Sequence, residues 1–324
     1  MGKTALVCGA GGFVGGHLVR RLKREGFWVR GVDLVRPAFE ESEADAFELC
    51  DLRDPVAVDA ILDRDFDEVY QLAADMGGAG YVFTGENDAD IMRNGALING
   101  NLLARTDRLT RSRVFFASSA CVYPAGNQAD PDNPLCAEDT AFPAQPDSLY
   151  GLEKLCSEQM YLAHARNYGL KVSIGRFHNV FGPQGAWRGG REKAPAALCR
   201  KVAETTTGGE VRIWGDGQQT RSFLYVDEGL EGATRLSRSG YGQPVNIGSD
   251  EMVTIDGLVD LIADIAGKRI HKVHEPGPIG VRGRRSDNRR IESVLGWRPT
   301  RPLVAGLERT YEWVEQQVRH DVTA

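Results

Sequence analysis

A glycine-rich turn between an apolar segment and an amphipathic one constrains the fold more than any other feature of this chain. Residues 4–8 predict a buried strand, and residues 13–25 predict a helix. The turn between them has the spacing G-x-x-G-x-x-G at Gly9, Gly12 and Gly15. Because these residues lack Cβ atoms, the turn is tight and its backbone N–H groups can approach a pyrophosphate at the helix N-terminus. The turn, together with Phe13, is therefore predicted to bind a dinucleotide.

An acidic residue at the end of the second predicted strand indicates which dinucleotide binds. Asp33 follows the glycines at roughly the expected spacing of ~20 residues, where a carboxylate contacts the ribose 2′-hydroxyl. A carboxylate there repels a 2′-phosphate, so NAD is favoured over NADP, although Arg36 could weaken that preference. Asp51 and Leu52, after the third strand, are predicted to lie at the edge of the adenine ring. The alternative for these two residues is a turn without a binding role. The alternative for the glycines is a turn that serves only to pack the helix.

Strands and helices alternate through the first half of the chain, which is typical of a parallel, doubly wound sheet. Further strands are predicted at residues 47–49, 68–72, 114–118 and 171–176, and helices at 91–109 and 150–168. Beyond Arg176, short strands (211–214, 223–226, 245–247 and 270–274) are interleaved with helices (194–203, 227–237, 254–266 and 303–319). The sequence predicts an α/β protein with a Rossmann-type NAD-binding domain over residues 1–176. A smaller C-terminal α/β substrate domain is predicted over 177–324, with some segments returning to the first.

Composition argues against several classes of function. Lysine and arginine total 39 against 45 acidic residues, and this net charge of −6 argues against a nucleic-acid partner but not against a local basic pocket. The six cysteines include no C-x-x-C pair, which indicates reduced thiols in a cytoplasmic protein. We expect no signal peptide and no membrane partner, because no apolar run approaches the ~18 residues of a membrane span. We also expect no metal, since His271 and His274 lack a third ligand nearby.

A tyrosine and a lysine one helical turn apart indicate hydride transfer. Tyr150 and Lys154 share a face of the predicted helix, so the charge of Lys154 is expected to lower the pKa of Tyr150. The phenol can then take a proton from a hydroxyl group. Ser119, at the end of the preceding strand, supplies a second hydroxyl for the same reacting oxygen. Such pairs also occur by chance on solvated helix faces, but here the glycine turn and Ser119 accompany the pair.

A thiol close to these residues suggests a second step, the removal of a proton from carbon. Cys121 follows Ser119 at the carboxyl edge of the predicted sheet, where ligands bind and where a nicotinamide charge would favour the thiolate. A small buried hydrophobe is an equally weighted alternative for this cysteine. Lys193 follows a glycine pair, and its residues alone favour a solvated helix start over a loop that covers a ligand. Arg221 and Arg284 could bind a diphosphate, with surface ion pairs as the alternative.

Long motifs spread over almost the whole chain resemble one family, the extended short-chain dehydrogenase/reductases that act on nucleotide sugars, and within it the epimerases of GDP-mannose. The matching stretches are AADMGG (73–78), FFASSACVYP (115–124), YGLEK (150–154), GRFHNVFGP (175–183), GGREKAPAA (189–197), WGDGQQTRSF (214–223), PVNIGSDEMV (244–253) and GVRGRRSDN (280–288). The resemblance implies that Tyr150, Lys154 and Ser119 are the oxidoreductive group and that Cys121 and Lys193 are the acid/base pair. It also implies contacts to the GDP-sugar from Gly77, Asn179, Glu192, Lys193, Ala194, Lys201, Gln219, Thr220, Arg221 and Arg284.

For function, the resemblance implies NAD-dependent inversion of GDP-D-mannose at C3 and C5, to GDP-L-galactose, GDP-L-gulose or both, through transient oxidation of C4. It also implies a homodimer formed through the helices at 91–109 and 150–168. A 4,6-dehydratase would carry an acidic pair where Ala120 and Cys121 stand, and a 4-epimerase needs no thiol base. A non-catalytic NAD-sensing module would have lost the Tyr–Lys pair. Segments 81–90 and 124–146 depart from the family pattern, which leaves the ratio of the two products open.

Overall fold

The computed structural model of the chain, which describes residues 2–323, alternates strands and helices through its first half. Its strands are β1 (Thr4–Cys8), β2 (Trp28–Asp33), β3 (Ala46–Leu49), β4 (Glu68–Gln71), β5 (Arg113–Ser119), β6 (Val172–Phe177), β7 (Val180–Phe181), β8 (Glu210–Trp214), β9 (Thr220–Ser222), β10 (Leu224–Tyr225), β11 (Val245–Ile247), β12 (Met252–Thr254), β13 (His271–Glu275) and β14 (Gly283–Arg284). Its helices are α1 (Phe13–Arg24), α2 (Pro55–Ile61), α3 (Ala79–Val82), α4 (Asp88–Leu103), α5 (Thr106–Leu109), α6 (Leu149–Tyr168), α7 (Ala194–Glu204), α8 (Val226–Ser239), α9 (Ile255–Ile265), α10 (Arg289–Leu295) and α11 (Leu303–Thr323).

The main sheet is parallel and doubly wound. Within residues 2–323 it contains seven strands in the order β11-β6-β5-β4-β1-β2-β3. Strands β1 to β3 are added in one direction and β4 to β6 in the other, so the strand order reverses between β1 and β4. Ligands bind at such a reversal, outside the carboxyl ends of the strands. The predicted α/β Rossmann-type fold is confirmed.

Helices cover both faces of this sheet, which explains why its central strands are apolar along their whole length. Leu6 and Phe116 belong to a buried cluster with side chains of α2, α4 and α6. Their neighbours Val7 and Phe115 point the other way and pack in a second cluster with side chains of α1 and α8. No helix within the described residues combines the length and the apolarity that crossing a bilayer requires.

The second half of the chain adds to the first sheet and also builds a smaller part. Strand β11 pairs with β6, and α8 packs against β5 and β6, so both elements belong to the main sheet although they follow residue 177. The remaining strands form small sheets, β12-β9-β14, β13-β8 and β10-β7. Helices α7, α9 and α11 pack on one another beside them. The boundary between residues 176 and 177 stays a prediction.

One predicted helix is divided in two. The pattern at residues 91–109 predicts a continuous helix, whereas α4 ends at Leu103 and α5 begins at Thr106. The hydroxyl of Thr106 donates to the carbonyl oxygen of Leu103 at 2.6 Å and replaces a main-chain bond there. A side chain that bonds to a nearby carbonyl in this way competes with the helical ladder.

Candidate active site

The glycine turn after β1 is packed too closely for a side chain at Gly9, Gly11 or Gly15. Gly9 has φ +86°, and a Cβ atom on it would lie 2.8 Å from the backbone nitrogen of Ala73, which follows β4. A Cβ on Gly15 would overlap the carbonyl oxygen of Gly9. Gly12 precedes the first residue of α1. The turn therefore lies at the reversal of strand order and leaves the N-terminus of α1 open to an anion.

Asp33 holds the same turn from the end of β2. Its Oδ2 accepts the backbone N–H of Gly11 at 2.9 Å, and its Oδ1 accepts that of Val35 at 3.2 Å. The carboxylate thus lies beside the glycine turn, as the sequence predicts. The ring of Phe13 packs edge-on against His17, with 5.3 Å between the ring centroids. Their contacts to a dinucleotide stay predictions.

Asp51 and Leu52 lie after β3, next to the end of β2. The carboxylate of Asp51 accepts two hydrogen bonds from Arg53. Nε donates to Oδ1 at 2.8 Å, and Nη2 donates to Oδ2 at 2.7 Å. These hydrogen bonds lower the pKa of Asp51. Leu52 is buried, and its carbonyl oxygen accepts the side-chain amide of Asn101 at 3.1 Å. Their role at the adenine stays a prediction.

A close approach between two elements joins the serine, thiol and phenol. Ser119 ends β5, and a 3₁₀ turn over Ala120–Val122 carries Cys121 past the strand end. Helix α6 begins beside that turn, because a Cβ on Gly151 would overlap the carbonyl oxygen of Cys121. The glycine that follows Tyr150 therefore lets the phenol lie next to the thiol. The Oγ of Ser119 accepts the backbone N–H of Cys121 at 3.2 Å.

Burial controls the protonation of Tyr150 and Lys154. The Nζ of Lys154 lies 5.8 Å from the centre of the Tyr150 ring and 4.0 Å from Oε2 of Glu153. Burial lowers the pKa of Lys154, against the opposing charges of Glu153 and Glu158. Burial also raises the pKa of Tyr150, as do the charges of Cys121 and Glu153. The net shift of the Tyr150 pKa is upward because desolvation of the phenolate dominates, and the lowering of this pKa by Lys154 stays a prediction.

The thiol of Cys121 lies against a buried ion pair. Burial raises the pKa of this thiol, and so does the charge of Asp147, whereas Arg284 opposes both effects. The Nη1 of Arg284 lies 3.4 Å from the sulfur, and Nη2 is paired with Asp147. The Nε of Arg284 donates to the side chain of Gln128 at 2.7 Å. Cys121 therefore contacts a buried ion pair and also packs in an apolar cluster with Val82 and Ile91, and its catalytic role stays a prediction.

Lys193 approaches the same place from the other half of the chain. It is the residue that immediately precedes α7. Burial lowers the pKa of its amine, and the charge of Cys121 opposes that effect. Glu192 beside it accepts the backbone N–H of Gly190 at 2.6 Å and lies 3.7 Å from Arg200. Lys193 therefore stands at a helix start, as its residues alone favour, but its side chain is partly buried and lines the same cavity as the thiol.

One cavity of about 390 Å³ brings most of the predicted catalytic and substrate residues together. The predicted residues on its wall are Ser119, Cys121, Tyr150, Lys154, Lys193, Gly77, Asn179, Glu192, Ala194, Lys201, Gln219, Arg221 and Arg284. Thr220 is absent from this wall, because its hydroxyl donates to the carbonyl oxygen of Pro131. Thr220 therefore lies in β9, and its side chain does not reach the cavity.

Other polar groups on the cavity wall suit a phosphorylated ligand. Arg221 donates to the carbonyl oxygens of Thr220 (2.7 Å), Ile279 (2.9 Å) and Val281 (2.7 Å), and burial with the nearby Arg284 lowers its pKa to about 9. Gln219 donates to Trp214 at 2.8 Å, which leaves its buried Oε1 without a partner. Lys201 donates to the carbonyl oxygen of Arg212 at 2.7 Å, and Asn179 to that of Ser222 at 2.9 Å. Two arginines in one wall provide the positive charge that a diphosphate needs.

Sequence reasoning missed the partners of the catalytic groups. Asp147 and Gln128 lie in the long irregular segment before α6, where no periodicity marks a functional side chain. Glu153 does carry a signal, since it is an acid next to Lys154 in a helix that is buried at this level. Within the described residues, no group of three or more His, Cys, Asp or Glu side chains could hold a metal ion.

Comparison with known proteins decides the family. Residues 5–248 match the sequence profile of the NAD dependent epimerase/dehydratase family. This chain belongs to that family. It is 43% identical to a GDP-mannose 3,5-epimerase of Arabidopsis thaliana over 97% of its own length and 83% of that protein. It is 44% identical to GDP-mannose 3,5-epimerase 1 of Oryza sativa subsp. indica, over 98% and 83%.

Solved structures of the NAD dependent epimerase/dehydratase family share the fold. A UDP-glucose 4-epimerase from Thermotoga maritima, solved with UDP-glucose, has a TM-score of 0.82 and 25% identity over 97% of this chain and 99% of that one. A UDP-glucuronic acid 4-epimerase from Bacillus cereus, in complex with UDP-glucuronic acid and NAD, gives a TM-score of 0.81 at 25% identity over 97% and 99%. The turn fits NAD, the cofactor of this family, because Gly9 and Gly15 let the backbone turn tightly at the N-terminus of α1, where a pyrophosphate binds.

Proposed function

We propose that this chain is an isomerase that inverts C3 and C5 of GDP-D-mannose, giving GDP-L-galactose, GDP-L-gulose or both. The observation that carries the proposal is the shared cavity, where the thiol of Cys121 and the amine of Lys193 meet Ser119, Tyr150 and Lys154. The GDP-mannose 3,5-epimerases at 43–44% identity support the choice of substrate. An epimerase that acts only at C4 has no need of the thiol and the amine.

The first step is oxidation of the sugar at C4. The glycine turn and Asp33 would hold NAD⁺, which would supply the hydride acceptor and a positive charge that favours the phenolate of Tyr150. Tyr150 takes the proton of the C4 hydroxyl while the C4 hydride leaves, so the alcohol becomes a ketone. Ser119 donates a hydrogen bond to the same oxygen, and Lys154 places its charge beneath the phenol. The ketone makes the hydrogens on C3 and C5 acidic.

The second step is proton exchange at the two carbons beside the ketone. Burial shifts the pKa of Cys121 upward and that of Lys193 downward, so burial disfavours the charged form of each group. A thiol and a free amine form one proton donor and one proton acceptor. One removes the proton from a ring face, the electron pair moves to the C4 oxygen as an enolate, and the other returns a proton to the opposite face. Tyr150 and Ser119 stabilise the enolate oxygen. Return of the hydride to C4 restores the alcohol.

The remaining polar residues of the cavity hold the nucleotide part of the substrate. Arg221 and Arg284 are assigned to the diphosphate, on charge. The buried and unpartnered Oε1 of Gln219 is assigned to an N–H donor of the ligand, since an unpaired buried acceptor is costly. The other assigned contacts are Gly77, Asn179, Glu192, Ala194 and Lys201. Thr220 acts only through the backbone of β9, which it shares with Arg221.

Incubation with GDP-mannose and NAD⁺ in D₂O tests the proposal. Deuterium at C3 and C5, together with new GDP-hexose signals in the NMR spectrum, is the expected result. Solvent label at neither carbon would refute the epimerase chemistry. Label at C5 alone would restrict the product to GDP-L-gulose. A purely C4-acting epimerase would form a new hexose without any solvent label.

We propose that the protein forms a homodimer through α4 and α6. We also propose that it is located in the cytoplasm. Leu97 on α4 is 42% exposed and Leu149 on α6 is 41% exposed, so these packed helices keep apolar side chains on their outer faces. Such apolar groups on neighbouring helices suit a partner surface. Sedimentation equilibrium should give a dimer for the wild type and a monomer for Leu97→Lys. The six cysteines, all unpaired among the described residues, suit a reducing compartment.

A further inference from the structure

Three side chains outside the cavity wall join the two halves of the chain next to the catalytic amine. The Nη2 of Arg191 donates to the hydroxyl of Tyr81 at 2.8 Å, and that hydroxyl donates to Oδ1 of Asp75, also at 2.8 Å. The Nη1 of Arg191 lies 3.4 Å from the same Oδ1. The guanidinium carbon stands 4.1 Å from the centre of the Tyr81 ring, within the range of a cation–π contact. We term Asp75, Tyr81 and Arg191 the clasp.

The clasp is anchored on the main-sheet side. Oδ2 of Asp75 accepts the side-chain amide of Asn94 at 2.9 Å. Asn94 is a buried residue of α4, and α4 packs along α6, the helix that carries Tyr150. The fixed end of the clasp is therefore connected to the same pair of helices as the oxidoreductive group.

The other end of the clasp holds a segment that begins with two glycines. Gly189 and Gly190 both have left-handed φ values, +92° and +87°, and a Cβ on either would meet no atom within 4 Å. The backbone N–H of Gly78 donates to the carbonyl oxygen of Arg191 at 3.0 Å. A Cβ on Gly78 would overlap the carbonyl oxygen of Glu192, so the two segments touch backbone to backbone. Two glycines give this segment much conformational freedom, and the contacts at residue 191 limit it.

Lys193 follows Arg191 by two residues and lines the cavity, whereas no member of the clasp does. We propose that the clasp is a positioning device, which fixes the segment 189–193 so that the Lys193 amine faces the sugar ring opposite Cys121. This inference rests on the proposed function. Arg191 is half-exposed, and exposed ion pairs add little to stability, so the consequence of the clasp lies in geometry. An error of about 1 Å in the placement of a reacting group can cost ~10²-fold in rate.

Variants of the clasp can be compared with a matched variant in the same segment. Tyr81→Phe removes the hydroxyl that bridges Asp75 and Arg191 but keeps the ring, and Arg191→Gln removes the charge. Arg188→Gln is the control, because Arg188 also has a carboxylate partner, Asp321, and stands 4.7 Å over the ring of Trp187, but points away from the clasp. Two readouts separate the steps. Deuterium uptake at C3 and C5 reports proton transfer, and the near-ultraviolet absorbance of enzyme-bound reduced nicotinamide reports oxidation at C4.

We expect Tyr81→Phe and Arg191→Gln to slow deuterium uptake about ten- to a hundredfold while oxidation at C4 and the KM for substrate change little. Arg191→Lys should recover part of the rate, and the double variant should be no slower than Arg191→Gln, since both changes break one unit. Arg188→Gln should match the wild type. Uptake that is unchanged, or that falls in equal proportion with oxidation, overturns the proposal.

A measurement without substrate separates failure of this inference from failure of the proposed function. Amide hydrogen exchange at Gly78, whose N–H bonds to Arg191, should be faster in Arg191→Gln than in Arg188→Gln. Equal exchange in these two variants overturns the clasp even if the wild type is an epimerase. A wild type that takes up no deuterium overturns the proposed function, and Gly78 exchange still decides whether the clasp holds the segment.

Discussion

At the scale of single residues, the proposed proton transfer depends on Cys121. Its sulfur is buried, lies 3.4 Å from Arg284 and opens onto the cavity with Lys193. Cys121→Ala removes one member of the donor–acceptor pair and leaves the glycine turn untouched. Loss of a positioned acid or base costs about 10²- to 10⁴-fold. We therefore expect deuterium exchange at C3 and C5 to fall by that factor, while calorimetry gives an unchanged Kd for NAD.

Cys156→Ala is the matched control for this prediction. Cys156 lies on α6 as an exposed thiol and does not line the cavity. Its variant should exchange deuterium at the wild-type rate. Exchange that persists in Cys121→Ala would assign the proton transfer to another group.

Adding a single Cβ atom at Gly15 tests whether the glycine turn binds the cofactor. Its added Cβ would overlap the carbonyl oxygen of Gly9, so Gly15→Ala must displace the turn. Overpacking of this kind costs roughly 1–3 kcal/mol, and we expect the Kd for NAD to rise more than about tenfold. Gly16→Ala is the control, because its Cβ would stand 3.7 Å from Ala10 and make an ordinary contact. Equal NAD affinities in the two variants, measured by fluorescence titration, would contradict this interpretation of the turn.

At the scale of elements, the contact between α4 and α6 depends on a small residue facing a buried carboxylate. A Cβ on Gly95 would overlap the side chain of Glu153, whose Oε1 accepts hydrogen bonds from Ser157 at 2.6 Å and Asn99 at 3.3 Å. Gly95→Ala should therefore lower the free energy of unfolding by about 1–3 kcal/mol. Glu153 neighbours Lys154, so the rate of C4 oxidation should fall as well.

Gly100→Ala, in the same helix, provides the comparison for Gly95→Ala. A Cβ on Gly100 would meet no atom within 4 Å, so the substitution gains helix propensity and should raise the free energy of unfolding by up to ~1 kcal/mol. Denaturant unfolding of both variants checks the pair. A Gly95→Ala protein as stable as the wild type would mean that the two helices are free to separate.

Helices and strands that bury an apolar face were predictable from the sequence. Short strands that form only by pairing with a segment distant in sequence were not. The bounds of β1 and β11 agree with the prediction residue for residue, because each is a short strand whose residues are almost all buried. Strands β9 and β14 were missed, since each exists only through pairing between segments that are distant in sequence. That β11 joins the main sheet follows from packing and not from local pattern.

The residues of the candidate site also fall into those that the sequence predicts and those that it does not. Ser119 and Tyr150 were placed by strand and helix periodicity, and the structure brings both to the cavity. Thr220 was carried over from a matching motif, but strand alternation turns its side chain away from the wall that holds Arg221. Asp147 and Gln128, which hold Arg284, come from an irregular segment whose course depends on tertiary contacts. The raised pKa of Tyr150 depends on burial, which spacing alone does not reveal.

At the scale of the whole molecule, a buried polar network joins two strands of the main sheet to α6 and to Tyr123, which follows the 3₁₀ turn of Cys121. Arg176 on β6 pairs with Glu158 on α6 at 2.7 Å, and its Nη1 donates to the hydroxyl of Tyr123 at 3.2 Å. That hydroxyl donates to Asn246 on β11 at 2.6 Å. The Nε2 of His178 also bonds to Asn246, at 2.9 Å. The network therefore links strands from both halves of the chain, and its loss should loosen them together.

His178 makes the stability of this network depend on pH. Its ring is fully buried, Nδ1 has no partner, and burial lowers its pKa from 6.5 to about 3, with Arg284 and Arg176 contributing in the same direction and the bond to Asn246 opposing. Between those two values the unfolded chain binds more protons than the folded one, so stability falls as pH falls. The slope is about 1.4 kcal/mol per pH unit.

His178→Asn removes this titration, so its stability should depend less on pH than that of the wild type. The variant loses packing at neutral pH, but the gap to the wild type should narrow by about 2 kcal/mol between pH 6.5 and pH 5. His271→Gln is the control, because His271 is exposed on β13, and its curve should run parallel to the wild type. Denaturant unfolding across this range provides the measurement. Parallel curves for His178→Asn and the wild type would mean that the buried ring titrates normally, and the network would then hold no neutral histidine at its centre.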